Sequence, residues 1–357
     1  MYSLTLELNQ KCNLNCKYCY LSNKNNEQMD IDTAYKSIKF GINKAKLHKD
    51  KTLFITFIGG EAILSFNMIT DLVNFSNKEC SNNNIFVKYS LTTNAVDINK
   101  SIVDFLIYNN FLLKVSIDGN KKIHDLNRIT KNGVGSFDKI IYNIPLLKYY
   151  EEKTNNSIQI THVVTKNNFK ELYNSLVFLT DILNFKYIDT AIDPYCGWTL
   201  DDFEILKETI TKSFYYFCDS YNQNRFHWSF IDALNSTLKK KNKVYSCGGG
   251  IISSYIKNNG NIYSCPTCFK EEAKLGNINS GLIVEKIDKL KNLKEIKYDK
   301  CINCKIYNYC SAKGCIMINL EINHNINIPN TINCLMEKFK YEFIRKNGDY
   351  LNEIIGL

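Results

Sequence analysis

Proline is scarce in this chain, four residues in 357, and no Ser/Pro-rich tract occurs. That excludes long extended linkers and disordered spacers. Long apolar runs are missing as well. The longest, such as Thr52 to Ile58, are strand-sized and far too short to span a bilayer. The opening MYSLTLELNQ has no basic segment followed by an apolar one, so no secretory signal is read there. No internal repeat at a solenoid period occurs, and nothing matches a standard nucleic-acid-binding module. The expectation is a cytoplasmic protein with neither membrane nor nucleic acid as partner.

What is present is an ordinary globular composition, 45% hydrophobic and 23% charged, long enough for one large domain and a smaller one. The formal charge of +9 is carried by dispersed lysines, and the densest run, Lys239 to Lys243, reads as a solvated loop or helix end. Fourteen cysteines stand out. In a reducing compartment they point to metal or redox chemistry before disulfides. Three fall in the first twenty residues and eight between Cys247 and Cys334, with Cys80, Cys196 and Cys218 between them. Those three are read as packed core thiols.

From residue 4 to about 193 strand-like and helix-like segments alternate. Strands are expected at Leu4–Leu8, Leu53–Ile58, Phe86–Thr92, Leu112–Ile117, Ile158–Thr165 and Lys186–Ile192. Helices are expected from Asp30 to about Leu47, then at Phe66–Ser76, Lys100–Tyr108, Phe137–Tyr149 and Phe169–Leu183. Such alternation predicts parallel β/α units with right-handed crossovers, though periodicity does not choose among open sheet, partial barrel and doubly wound fold. Residues 201 to about 240 read as helical. From Cys247 onward glycine, asparagine and cysteine crowd together and periodicity fades until a helix from Cys334 to about Arg345. A region stapled by metal fits that texture. The expected division is 1–200, a helical bridge 201–246, and a cysteine-rich domain 247–357.

Cys12-x3-Cys16-x2-Cys19 lies directly after the first strand, where β/α proteins place their sites. Three thiolates on one short loop can each take one iron of a 4Fe–4S cube, leaving the fourth iron open. The competing reading is zinc, which wants a fourth protein ligand, and no histidine lies nearby. The strand ends add Gly59-Gly60-Glu61, Thr93-Asn94, Ser116-Ile117-Asp118-Gly119 followed by His124-Asp125 and Arg128, and Val163-Val164-Thr165. Glycines admit close backbone approach, Glu61 can accept from an ammonium, and Arg128 can pair with a carboxylate; taken singly, these positions read as turn glycines and a surface arginine.

Taken in order, these segments resemble the radical S-adenosylmethionine (SAM) superfamily. The resemblance implies an α/β fold, a partial (β/α)6 TIM-like barrel, with a 4Fe–4S cluster on Cys12, Cys16 and Cys19. It places SAM against Gly59, Gly60, Glu61, Asn94, Ser116, Asp118, Arg128 and Val164. Where the family often has proline after the GGE segment this chain has Ala62, a change read as altering loop stiffness.

Cys301-x2-Cys304-x5-Cys310, Cys315 and Cys334, preceded by Cys247 and Gly260-x4-Cys265, resemble the SPASM extension of these enzymes, which holds one or two auxiliary 4Fe–4S clusters. By that pattern Cys301, Cys304, Cys310 and Cys334 hold the distal cluster, and Cys247, Cys265 and Cys315 the nearer one. Four residues separate Cys310 from Cys315 where the family usually has three. Cys268 is a candidate ligand, proton donor or thiol relay. The zinc-ribbon alternative rests on the Cys-x2-Cys spacing alone.

The resemblance implies reductive cleavage of SAM and hydrogen abstraction from a substrate carbon, on a peptide or protein. Anaerobic sulfatase-maturating enzymes carry an aspartate base directly after the cysteine matching Cys265; here that position is Pro266. Cys247-Gly248-Gly249-Gly250 resembles thioether-forming peptide maturases. The reading is therefore thioether cross-linking (sactipeptide or ranthipeptide type) of a ribosomally synthesised, cysteine-rich precursor peptide. Alternatives are formylglycine formation and other radical peptide modification, such as C–C cross-linking or epimerisation. Outside enzymology stand an iron–sulfur electron carrier and a silent peptide-binding scaffold. An external electron donor, flavodoxin or ferredoxin, is implied, and without a recognisable winged-helix element leader recognition is left to the barrel rim, the cysteine-rich region or a separate leader-binding protein. His162 and Asp193 are read first as a hydrogen-bonded core histidine and a loop turn.

Overall fold

The computed structural model describes residues 1–21, 24–221, 225–241, 245 and 247–355. Among the described residues eleven strands occur in chain order: β1 (Tyr2–Glu7), β2 (Thr52–Ile58), β3 (Phe86–Thr93), β4 (Leu112–Ser116), β5 (Gln159–Val164), β6 (Tyr187–Ile192), β7 (His227–Trp228), β8 (Ser253–Ile256), β9 (Asn261–Tyr263), β10 (Lys274–Asn277) and β11 (Gly281–Leu282). The chain divides into two compact units. The first comprises Met1–Ser116, Ile129–Ile158 and Gly248–Asn292; the second comprises Ile117–Arg128, Gln159–Cys247 and Leu293–Leu357.

In the first unit β1 through β4 pair in parallel with their neighbours in turn. The helix Ile31–Ala45 connects β1 to β2. Asp30 starts it by accepting from the Thr33 amide at 2.9 Å, a cap worth about 1 kcal/mol. Ala34, Ile38 and Ile42 recur at helical spacing and are buried. Gly41 packs closely on β1 and β2: a Cβ there would stand 2.9 Å from Leu4 Cδ2 and push that side chain aside. Phe57, Tyr89 and Phe111 stack in the core beneath, with ring centroids 5.1 to 6.3 Å apart.

The six expected strands form with ends displaced by a residue or two; of the helices between them, the one from Phe66 runs on past Ser76 to Asn82 and some others are subdivided. The stretch expected as one helix over 137–149 is two helices, Phe137–Tyr142 and Ile144–Thr154, meeting at Asn143, with proline in the first turn of the second. Leu172–Val177 continues into a π-turn at Phe178–Ile182.

Two differences are larger. The helical stretch expected over 201–240 is broken: Leu200–Tyr221 and Ser229–Thr237 are separate helices with β7 between them. β7 pairs in parallel with β6, and Trp228 is buried with its Nε1 donating to Thr190 Oγ1 at 2.9 Å. Two residues are too few for an alternation to be visible in sequence. The last residues of the Lys239–Lys243 run lie outside the described residues. Beyond Cys247, where regular structure was expected to fade, β8 pairs in parallel with β1, and β9, β10 and β11 extend the sheet antiparallel. Residues 248–292 thus belong with β1–β4, whereas the remaining cysteine-rich stretch packs with β5–β7. The signal was hidden because β8 opens on two serines, one of which shares a 2.6 Å hydrogen bond with the Tyr2 hydroxyl. Among the described residues no helix is long and apolar enough to cross a membrane.

The ends of β1 and β2 are locked to each other. The Gly60 amide donates to Asn9 O and the Glu61 amide to Lys11 O, each at 2.8 Å. A Cβ on Gly60 would lie 2.4 Å from Lys11 O and 2.6 Å from Gln10 O, both backbone. Gly60→Ala is therefore expected to destabilise the apoprotein by about 1–3 kcal/mol through overpacking. Gly348→Ala, in a helix with nothing within 4 Å of the added carbon, is expected to cost nothing. Thermal melting of the two variants makes the comparison.

Candidate active site

The loop after β1 carries Cys12, Cys16 and Cys19. Cys12 is buried, while Cys16 and Cys19 are half-buried. Two N–H groups address the Cys12 sulfur: the Leu14 amide at 3.3 Å and Asn94 Nδ2 at 3.9 Å. Burial pushes this thiol up to about 11, the Leu14 amide and Lys24 acting in the opposite direction. A thiolate here therefore needs a further cationic partner, which bound iron supplies. The loop is held from both sides. Lys24 Nζ donates to Leu14 O at 2.8 Å, and the Asn15 amide to Ile129 O at 2.6 Å. Among the described residues no three Cys, His, Asp or Glu groups converge as around a single ion; a cube takes one thiolate at each of several separate irons. The inward sulfur with its N–H donors fits a cluster.

Glu61, 3% exposed, braces the loops after β2 and β3. Its Oε2 accepts from the Asn94 amide at 2.7 Å and its Oε1 from the Ile63 amide at 3.2 Å. Burial raises its carboxyl to about 7, against the hydrogen bonds from Asn94, Thr93 and Ile63. Asn94 continues the chain of contacts, its Nδ2 donating to Asn13 Oδ1 at 2.7 Å. Cys12, Glu61 and Asn94 thus share one hydrogen-bonded neighbourhood, and Ser116 ends β4 in the same unit. Gly59 and Gly60 make their close approach to Asn9–Lys11 backbone, a packing role that the reading of a ligand cradle did not include.

In the second unit Asp118, Arg128 and His124 form a buried set. Arg128 is 5% exposed, which removes the surface-arginine alternative; its Nε stands 3.0 Å from Asp118 Oδ2. Asp118 Oδ1 accepts from the Val163 amide at 3.0 Å, and the Asp118 amide donates to His124 Nδ1 at 3.2 Å. That bond requires the His124 tautomer with its proton on Nε2. Val164 is fully buried. His162 is buried and lies 3.5 Å from Thr190 Oγ1. Asp193 forms a turn, accepting from the Tyr195 amide at 2.9 Å.

Of the C-terminal cysteines, Cys301, Cys304, Cys310 and Cys334 share one environment in the second unit. Burial raises the thiols of Cys301, Cys310 and Cys334, and each is raised further by one or more of the others. Cys304 packs against the small cluster of Ile306, Cys310 and Ala312. Three thiols destabilised as anions until a metal arrives, with Cys304 packed beside them, suit a cluster. Cys265 and Cys268 fall in the first unit, Cys247 and Cys315 in the second. Cys265 Sγ lies 2.9 Å from Thr267 Oγ1, and Cys268 is 2% exposed. Cys315 lines a cavity of about 410 Å³ in the second unit with Thr190, Ser229, Phe230, Met336 and Glu337. Cys80 and Cys218 are buried and Cys196 half-buried. Sequence reasoning passed over Asn13, Lys24 and Glu7. Glu7 was signalled as the one acidic residue in the first strand, YSLTLE.

The family model described as the radical SAM superfamily matches residues 6–178. A cysteine-type anaerobic sulfatase-maturating enzyme of Clostridium novyi is 30% identical over 364 residues, covering 94% of this chain and 92% of that protein. The uncharacterized protein MJ0907 of Methanocaldococcus jannaschii is 32% identical over 285 residues, 78% of this chain and 89% of its own length. The solved structure of native anSMEcpe with bound AdoMet and the Kp18Cys peptide superposes with a TM-score of 0.78 at 23% identity, covering 97% of each chain. At that identity the likeness is one of fold.

Burial pushes His162 and His124 down to about 4 from 6.5, partly offset by the Asp118 charge. Below about pH 6.5 the unfolded chain binds protons that the folded chain refuses until about pH 4, so apoprotein stability falls as pH falls through that window. Melting temperatures at pH 7 and pH 5 measure the drop, and His162→Gln is expected to shrink it.

Proposed function

The chain belongs to the radical SAM superfamily, and on that premise we propose that it is a peptide maturase that joins a cysteine sulfur to a carbon of a ribosomally synthesised precursor. It is an enzyme of the branch that includes the sulfatase maturases. The observation that carries the finer reading is Pro266 directly after Cys265, where the resembled sulfatase maturases have their aspartate base. The Cys247–Gly250 stretch supports the same reading, as does the buried Cys268 thiol.

A 4Fe–4S cluster and SAM supply one-electron reductive cleavage and removal of a hydrogen atom from carbon. Cys12, Cys16 and Cys19 hold that cluster in this proposal. Gly59, Gly60, Glu61, Asn94, Ser116, Asp118, Arg128 and Val164 serve SAM, with Glu61 and Asn94 fixing the loops and the Arg128–Asp118 pair supplying charge. Cys301, Cys304, Cys310 and Cys334 take a distal auxiliary cluster. Cys247, Cys265 and Cys315 take a nearer one, with Cys268 as further ligand or thiol relay. The cavity beside Cys315 offers room for a peptide side chain. A flavodoxin or ferredoxin delivers the electron.

A second reading, conversion of a sulfatase cysteine to formylglycine, is favoured by the 30% identity to the Clostridium novyi protein over 94% of the chain. Mass spectrometry after anaerobic incubation with reductant, SAM and candidate peptides separates the two. A thioether removes one pair of hydrogen atoms and keeps the sulfur, whereas formylglycine loses the sulfur. The expected product keeps it, and Cys268→Ala is expected to lower its yield about a hundredfold or more, the range of acid–base groups.

A further inference from the structure

Asn13 directly follows Cys12 and is half-buried. Its Nδ2 donates to Asp97 Oδ2 at 2.7 Å, and its Oδ1 accepts from Asn94 Nδ2 at 2.7 Å. Asn94 is buried, and the same nitrogen reaches the Cys12 sulfur at 3.9 Å. Asp97 is exposed. A line of contacts thus runs from a surface carboxylate through two carboxamides to the buried cysteine of the loop, all within the first unit.

A carboxamide can face either way, and here both ends of the line decide. A carboxylate only accepts, so Asp97 draws the Asn13 nitrogen and turns the Asn13 oxygen toward Asn94. A backbone amide only donates, so the Val96 N–H, 3.0 Å from Asn94 Oδ1, keeps the Asn94 oxygen on its own side. That leaves the Asn94 nitrogen between Asn13 and Cys12. It carries two hydrogens. One goes to Asn13 Oδ1, and the other points to the sulfur. The Asn94 main chain is held as well, its amide donating to Glu61 Oε2 at 2.7 Å. Asn13 Oδ1 also accepts from the free Cys12 thiol at 3.7 Å, through a proton that a metal replaces.

We propose that Asp97 and Asn13 are positioning residues that hold an Asn94 N–H on the Cys12 sulfur and so ease the one-electron reduction of the cluster. This rests on the reading above that Cys12 is a ligand of the SAM-cleaving cluster. The step adds one electron from an external low-potential donor and breaks no bond. Part of the added charge falls on the thiolate sulfurs, where an N–H dipole stabilises it, so a hydrogen bond to sulfur favours the reduced state. Groups that orient such a donor tune the site without touching metal. The charge of Asp97 acts the other way, because a nearby negative charge opposes the arrival of an electron. As anchor and as charge, Asp97 therefore has opposite effects on the potential.

Stepwise reduction of the anaerobically reconstituted protein at set potentials, followed by electron paramagnetic resonance, reads the effect without turnover. The component that shifts when SAM is added to a parallel sample identifies this cluster. Asn13→Ala and Asp97→Ala are each expected to make its reduction about tenfold less favourable, about 59 mV for one electron. A potential that Asp97→Ala leaves unchanged, or raises as loss of charge alone would, overturns the positioning role. Should Asn13→Ala fail to take up the cluster, Asp97→Ala, at the exposed end of the line, carries the measurement. A wild-type signal that ignores SAM, or one that survives Cys12→Ala, overturns the cluster reading instead, and the positioning role with it.

Discussion

The backbone lock between the ends of β1 and β2 is the constraint on which the first unit's chemistry depends. The amides of Gly60 and Glu61 reach the carbonyls of Asn9 and Lys11 at 2.8 Å, an approach that any side chain on Gly60 would block. This fixes the takeoff of the cysteine loop. It also turns the Glu61 carboxylate toward the Asn94 amide, so β1, β2 and β3 end in one hydrogen-bonded network. Parallel strands present their C-terminal ends on one side. What this sequence adds is a set of short contacts that leaves the first loop little freedom.

Much of this was legible because it is local. The strand–helix rhythm, the spacing of Cys12, Cys16 and Cys19, and the GGE segment are all readable over a few residues. What escaped was long-range. β8 looks like polar loop in sequence and becomes a strand only through its pairing with β1, about 250 residues away in sequence. β7 is two residues long and visible only through its partner β6. Arg128 read as either surface or site until its burial against Asp118 removed the first option.

The same distinction explains Glu7. An acidic residue at the end of a first strand is unremarkable in a sequence. Its hydrogen-bond donor is Tyr255, 248 residues on, which the β1–β8 pairing brings to it. The cysteine-rich region is therefore two things at once. Residues 248–292 complete the sheet that carries the first cysteine loop, and the later residues build a packed nest of thiols around Cys310. A segment that looks like a metal-stapled appendage is partly structural framework for the N-terminal site.

The central claim is that Cys12, Cys16 and Cys19 hold a cluster with one iron left for an outside ligand. Electron paramagnetic resonance of the anaerobically reconstituted, reduced protein tests it most directly. A cluster signal that disappears when Cys12, Cys16 and Cys19 are replaced, and that shifts when SAM is added to the intact protein, is the predicted result. Zinc in that loop, or a cluster signal indifferent to SAM, would contradict it.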